Sequence, residues 1–389
     1  MGRVWAGVDI GKEHHHCVAI GDHGDRLLSS RVANDEAELT ELIAEVVELG
    51  EETVWAIDLI DGPASLFCAV LRDHGNGFLF VPGRSLQRIA AVYPGAGKTD
   101  ARDAAILAQE ARVRHGLRPR PPLDPIAVDL QLLTARRTDL VCDRTRTFNR
   151  LRGHLTTITP ALERALDVRR RGVLTLLTGY QTPTALRRIG PARLTTWLHR
   201  RGVQSPRALA ERATAAARLQ SVRVTGETLA AACVAEPAAE ALVLHRRVDD
   251  VDHRMKVLFH DHHDAALITS MPGIGDILGA EFIAATGGDM ARFPTANHLA
   301  SYAGLAPVPH DSGKYHGIRH RPRNYHRGLQ RVFYQSARIS VRCCAASQTY
   351  YDRKRGEGKS HTQAVIALAR RRVNVLWAIL RDRQPYQGR

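Results

Sequence analysis

Apolar positions in the first eighty residues switch between two periods. Residues 4–10, 15–20 and 26–32 carry the signals of strands, joined by short turns such as Gly21-Asp22-His23-Gly24-Asp25. Over 36–49, Leu39, Leu42, Ile43, Val46 and Val47 recur at helical spacing, which predicts an amphipathic helix. A fourth strand over 53–58, a second helix over 63–74 and a fifth strand over 78–81 follow. From about 126 to about 264 strand signals fade into Ala/Leu/Arg-rich helical runs, which Pro160, Pro183, Pro191, Pro206 and Pro237 are predicted to divide into separate helices. The most readable of them, 129–155, sets Leu130, Leu133, Leu140, Val141, Phe148, Leu151 and Leu155 in a stripe, with Arg136, Arg137, Arg144, Arg146, Arg150 and Arg152 as a basic surface. Such a helix either binds nucleic acid or pairs with a partner helix. Beyond 265, the turn Pro272-Gly273-Ile274-Gly275 precedes a helix over 276–285. A helical run over 295–303, a basic loop over 307–327 and two Arg-studded helices over 328–344 and 361–381 complete the chain.

These signals predict an α/β unit at 1–125, a helical or coiled-coil region at 126–264 and a mostly helical unit at 265–389, the first boundary marked by Pro121-Pro122-Leu123-Asp124-Pro125. Three strands, a helix, a strand, a helix and a strand is the order of a ribonuclease-H-like layer. Asp9 ends the first apolar run and Asp58 the fourth, while Asp100 and Asp103 are three apart, on one face of a late helix. Singly, a strand-end Asp caps the next turn. Converging, such carboxylates make a hard oxygen cage able to hold one or two Mg²⁺ against a phosphodiester. Asp61, in the turn pair Asp61-Gly62, competes with Asp58 for the second position; Asp58 is preferred because it ends the strand directly.

Charge sharpens the picture. The net charge is +15, and from Ser312 to Arg389 there are 18 Lys/Arg against three acids, so the whole excess lies in the last fifth of the 389 residues. A basic unit beside a neutral one points to a polyanion, DNA or RNA before an anionic membrane, although an Arg-rich composition also gives solvated surfaces. The six cysteines show neither CxxC pairing nor zinc-ligand spacing and read as reduced thiols of a cytoplasmic protein. No signal pattern opens the chain and no stretch approaches a membrane span, so no membrane partner is expected.

Three loops offer further chemistry. Pro94-Gly95-Ala96-Gly97-Lys98-Thr99 imitates the end of a phosphate-binding loop, but Val92 stands where the full pattern needs Gly. Its glycines more plainly turn the chain into the helix of Asp100 and Asp103, with Lys98 in reach of a nucleic-acid phosphate. Gly273 and Gly275 resemble a helix-hairpin-helix turn, where backbone N–H groups approach phosphate; an ordinary tight turn has the same letters. His310-Asp311-Ser312-Gly313-Lys314 presents a serine amid Arg319, Arg321, Arg323 and Arg327. Loop serines are mostly turn formers, and Ser301 is the nearby rival.

Together, Val8-Asp9-Ile10-Gly11-Lys12, Lys98-Thr99-Asp100-Ala101-Arg102-Asp103-Ala104, Pro272-Gly273-Ile274-Gly275 and Ala303-Gly304-Leu305-Ala306-Pro307 followed by Asp311-Ser312-Gly313-Lys314 resemble, in order and over nearly the whole chain, the insertion-sequence-110 transposases. These are DEDD transposases related to the Piv invertases. The resemblance implies a RuvC-like first domain whose Mg²⁺ ligands map onto Asp9, Asp58, Asp100 and Asp103. It implies a catalytic serine at Ser312, a structured non-coding guide RNA pairing with donor and target double-stranded DNA, and a homodimer assembling to a tetramer. The family's second acid is usually Glu, and Asp58 is shorter by one methylene.

The reading is therefore a DNA transposase that excises and inserts its element by Mg²⁺-dependent strand exchange, with Arg136, Arg137, Arg144, Arg150, Lys314 and the loop arginines on nucleic acid. Its first rival is a structure-selective nuclease or Holliday-junction resolvase using water. A sugar kinase or actin-like ATPase would need a duplicated glycine-rich segment, and no duplicate is found. A non-catalytic nucleic-acid binder is the third rival.

Overall fold

The computed structural model describes residues 2–60, 62–81, 83, 86, 89, 99–113, 124–309, 319, 320, 322 and 324–388. They form two compact units, Met1–Pro122 and Leu123–Arg389.

The first unit contains β1 (Arg3–Ile10), β2 (His14–Ile20), β3 (Arg26–Ala33), α1 (Glu36–Glu48), β4 (Glu52–Ile57), α2 (Ser65–Asp73), β5 (Phe78–Phe80) and α3 (Asp100–Val113). The sheet order is β3-β2-β1-β4-β5. The first three strands run antiparallel as consecutive neighbours; β4 lies parallel to β1, and β5 parallel to β4. Both faces are covered. Val4, Ala6, Val8, Trp55 and Ile57 pack with Leu39, Leu42, Ile43 and Phe67 from α1 and α2 on one side. Val18, Ile20, Ala56 and half-buried Trp5 meet Ala104, Leu107 and Ala108 of α3 on the other. Asp35 caps α1 by accepting from the Glu38 N–H at 3.1 Å, so the helix starts where its apolar stripe does.

The second unit contains α4 (Pro125–Ile158), α5 (Pro160–Ala165), α6 (Arg171–Gly179), α7 (Pro183–His199), α8 (Pro206–Arg218), α9 (Glu227–Asp261), α10 (Ala265–Ser270), α11 (Asp276–Thr286) and α12 (Ala296–Tyr302). The short strands β6 (Val308–Pro309) and β7 (Arg319–His320) pair antiparallel, and α13 (Arg327–Cys343), α14 (Ala345–Gly356) and α15 (His361–Asp382) follow. The two long helices, α4 and α9, lie antiparallel: Arg137 pairs with Asp252, Arg144 with His245 and Arg150 with Glu240. Their pairing threads two cores. Phe148, Leu151 and Leu155 of α4 and Val234, Ala238 and Ala241 of α9 pack with α5 to α8. Leu130 and Leu140, with Val248, Met255 and Phe259, join the core built by α10 to α13 and α15.

Several expectations change here. Pro160, Pro183 and Pro206 do separate helices, as expected: each opens one, where a missing N–H costs nothing. Pro237 does not divide α9; it is buried inside a continuous helix, on the face that packs Val234, Ala238 and Ala241. Gly190, with φ 71° and ψ 165°, is non-helical, so the run Pro183–His199 is two helical pieces divided just before Pro191, as expected. The helix read as 129–155 begins at Pro125 and runs to Ile158. Helix α14 was not read at all. A membrane-length apolar stretch, not expected from the sequence, does occur: α9 contains an 18-residue window of mean hydropathy 1.2. Its alanines raise the hydropathy, and the helix lies along α4, with charged pairs at its carboxy-terminal half.

Candidate active site

Residue Gly7 sets the geometry of the first unit. A Cβ there would lie 2.1 Å from the Ala104 carbonyl oxygen and 2.3 Å from the Ala108 nitrogen, so the backbone of α3 rests directly on β1. Strand side chains alternate, so Asp9, two residues on, faces the side of the sheet that α3 covers. Asp103 immediately precedes Ala104, and Asp100 sits one turn earlier, both in the first turn of α3. Thr99 starts that helix, its carbonyl accepting from Asp103 N–H at 3.1 Å and its hydroxyl from Arg102 N–H at 3.3 Å. Carboxylates at this positive helix end are electrostatically favoured.

Asp58 follows β4 directly. Because β4 is parallel to β1 with Ile57 opposite Val8, Asp58 emerges beside Asp9. The Ile10 N–H donates to Asp58 Oδ1 at 3.4 Å, which ties this carboxylate to the end of β1. His16 lies opposite Asp9 in the β1–β2 pair. Burial pushes the His16 imidazole down and the Asp100 carboxylate opposes that shift, so Asp100 lies within electrostatic reach of Asp9's cross-strand neighbour. Asp9, Asp58 and Asp103 are half-buried and Asp100 is exposed. Asp9 and Asp58 thus stand at adjacent strand ends, and Asp100 and Asp103 at the start of the helix that covers β1, but no three of the four bring ligand oxygens within 4.8 Å of one another. An all-oxygen, partly solvated donor set of this kind suits a hard divalent cation that keeps some of its waters. Asp61, the competitor of Asp58, lies outside the described residues.

The carboxy-terminal candidates divide. Ser312, Lys314, Arg321 and Arg323, like Lys98, lie outside the described residues. Arg319 belongs to β7, and Arg327 is exposed at the first position of α13. Gly273 has φ +82° and its Cβ position lies 2.7 Å from the Ser336 carbonyl oxygen, so this glycine lets the turn pack against α13. Buried Arg372 fixes the same turn, donating from Nε to Ser336 Oγ at 2.9 Å and from Nη2 to the Pro272 carbonyl. Burial lowers its guanidinium to about 10. Gly275 is open and precedes α11, where Asp276 already supplies a negative charge to the helix start.

Along α4, Arg136 is exposed, whereas three of the other arginines face α9. Arg137 Nε is 2.5 Å from Asp252 Oδ1, and its Nη1 is 3.6 Å from buried Glu281, which Arg331 also meets at 2.5 Å. Arg144 is half-buried beside His245, and Arg150 pairs with Glu240 at 2.7 Å. Periodicity gave their spacing but not which face α9 would cover.

Among the described residues, the acidic and imidazole group that brings one possible ligand atom from each member within 4.8 Å is Asp124, His262 and His263. His262 Nδ1 accepts from the Asp264 N–H at 3.1 Å, which leaves the proton on Nε2, 3.5 Å from Asp124 Oδ2. Buried Nε2 makes no hydrogen bond among the described residues, so the cluster, between the start of α4 and the end of α9, stands as a possible metal-binding group.

Comparison with known proteins gives the family. A DEDD transposase profile of the IS110 type matches residues 6–160, and the profile of the transposase IS116/IS110/IS902 family matches residues 265–352. The chain is 53% identical over 386 residues to the insertion element IS900 uncharacterized 42 kDa protein of Mycobacterium paratuberculosis, covering 98% of this chain and 97% of that one. It is 47% identical over 385 residues to the insertion element IS116 uncharacterized 44.8 kDa protein of Streptomyces clavuligerus, covering 98% and 96%. The pilin gene-inverting protein of Moraxella bovis is 31% identical over 150 residues, 36% of this chain and 46% of that protein. The chain belongs to the IS110 family of transposases, enzymes that recombine DNA, and is related to the pilin gene-inverting proteins.

Proposed function

We propose that this transposase excises and inserts its element by strand exchange at a Mg²⁺ site made by Asp9, Asp58, Asp100 and Asp103, with Ser312 as nucleophile. What supports the reading is the seating of α3, the helix that opens with Asp100 and Asp103, on Gly7 of β1, together with the tie from the Ile10 N–H to Asp58 at the neighbouring strand end. The sheet order, with three antiparallel strands and then two parallel ones, supports a ribonuclease-H-like, RuvC-like fold for the first unit. The four carboxylates would hold Mg²⁺, and the ion would supply the positive charge that offsets their own and lets a scissile phosphate approach them. The Ser312 hydroxyl forms a new P–O bond as the bond to the departing sugar oxygen breaks; the serine proton leaves to solvent and the departing oxygen takes one up. The phosphoserine link keeps the phosphodiester's energy for rejoining.

In this reading, residues 1–125 hold the metal site, 126–264 the helical region and 265–389 the serine unit; the last two share the core threaded by α4 and α9. Arg136, Arg327, Lys314, Arg319, Arg321 and Arg323 contact donor and target DNA or a structured non-coding guide RNA, within a homodimer that assembles to a tetramer. Pairing of that RNA with DNA then carries sequence choice. Excision of a marked element, reconstituted with its flanking non-coding DNA, tests the proposal. Asp58→Asn and Ser312→Ala each abolish excision, and deleting the transcribed flank does the same. Strand cleavage at wild-type rate by Ser312→Ala would instead make water the nucleophile and the chain a resolvase-like nuclease.

A further inference from the structure

The carboxy-terminal helices enclose a groove that none of these roles uses. Between α14, α15 and the segment after α15 lies a cavity of about 780 Å³, within the roughly 300–1,000 Å³ of small-molecule sites. Its floor is apolar, from Met271, Leu368, Val375 and Ile379, and Tyr350 and Tyr386 stand among its walls. A second cavity of about 660 Å³ shares Tyr350, Arg371 and Val375 with the first and adds Arg370 and Asn374, so the two form one groove.

Cations crowd the shared wall. Around the Tyr350 ring, Arg353 Cζ is at 5.0 Å, Arg371 Cζ at 5.2 Å and Lys354 Nζ at 5.6 Å. Glu357 answers Arg353 and Lys354, but Arg371 has no carboxylate partner among the described residues. Arg370 donates only to uncharged oxygens, those of Asn297 and Asn374. The acid among the lining residues is Asp382, which neighbouring Arg381 holds at 2.6 Å with its carboxyl below the usual range. The groove is therefore an apolar, aromatic-walled slot whose rim is left positive.

We propose that it binds an unpaired nucleotide, the base seated against Tyr350 and the apolar floor and its phosphate on Arg371. A stacked duplex keeps its bases inside and offers only phosphates, whereas a flipped or single-stranded base can enter a side-chain cavity. A purely phosphate-reading patch would have no need of the slot, and a purely apolar docking groove would not be rimmed by unanswered guanidinium groups. The inference rests on the transposase's nucleic-acid substrates but not on the acid site or Ser312. DNA or RNA could supply such a nucleotide, and the chemistry recognised is the same.

The test uses the full chain and three labelled 12-mers of one sequence: single-stranded DNA, single-stranded RNA and duplex DNA. Arg371→Ala is expected to weaken single-strand binding about tenfold and duplex binding less than twofold; whichever single strand loses more names the source. Equal loss on all three, or none, would overturn the proposal. Should Arg371→Ala lower the melting temperature, photocrosslinking of 5-iodouracil-substituted strands to the wild-type chain decides independently of any variant. Crosslinks mapping to Tyr350 or Tyr386 support the site, and crosslinks confined to other peptides refute it. Acid-site variants such as Asp9→Asn leave both readouts in place, so failure here is separable from failure of the proposed chemistry.

Discussion

At Gly7 the space for even one methyl group is filled by the backbone of α3, and backbone cannot turn aside as a side chain can. Gly7→Ala should therefore cost about 1–3 kcal/mol in a thermal or denaturant melt, the range of overpacked cores. It should also lift α3 and its two aspartates away from β1, so that recombination falls much further than the stability loss alone explains. The carboxylates were legible because each ends an apolar run or opens a helix. The role of Gly7 was not, since its contact comes from a helix nearly a hundred residues away. The same holds for Arg137: its letter and spacing read as surface charge, and only the fold reveals Asp252 and Glu281 against it. Removing buried Glu281 leaves Arg137 and Arg331 short of a counter-charge. Glu281→Ala should destabilise the second unit by roughly 3–5 kcal/mol in a chemical melt, while Arg136→Ala should leave stability unchanged.

Among elements, strands and amphipathic helices with one clear apolar face were readable from period alone, as β1 to β5 and α1 show. Helix α14 escaped because among its residues only Ser347 is buried, so no stripe marks it. Proline misled where packing overrode it: Pro237 sits on the buried face of α9, where contacts with α6 and α4 hold the helix together across the missing hydrogen bond. One helix start carries a pH dependence. His326 caps α13 by accepting from the Leu329 N–H at Nδ1, 3.0 Å away. Burial holds this imidazole below the usual value of about 6.5. The folded state thus binds the proton less readily than the unfolded chain, so its stabilisation is complete above about pH 6.5 and is lost as pH falls through the lower folded value. Melting temperature should drop from pH 7 toward pH 5. His326→Asn, which keeps a cap acceptor without titrating there, should flatten that slope; an unchanged slope would remove His326 as its source.

Over the whole molecule, charge and chemistry are segregated: the four aspartates lie in a first unit with more acids than bases, and a net charge equal to the entire +15 lies from Ser312 onward. Nucleic-acid affinity should fall by about 10³–10⁵ between 50 and 200 mM salt if six to ten phosphates are contacted, and a shallow dependence would deny the basic last fifth that role. Charge distribution could be read from the sequence, but the threading of α4 and α9 through two cores, which joins the expected second and third regions into one compact unit, could not, because pairing between distant helices leaves no local signal. The central claim is that Ser312 and the four aspartates break DNA together. Its most direct measurement is mass spectrometry of the protein after reaction with its element-end DNA, quenched in denaturant and digested. The account predicts a nucleotide joined to the peptide containing Ser312, formed with Mg²⁺ and missing with EDTA or in Asp9→Asn. Cleaved DNA ends bearing no attached peptide, at full yield, would contradict it.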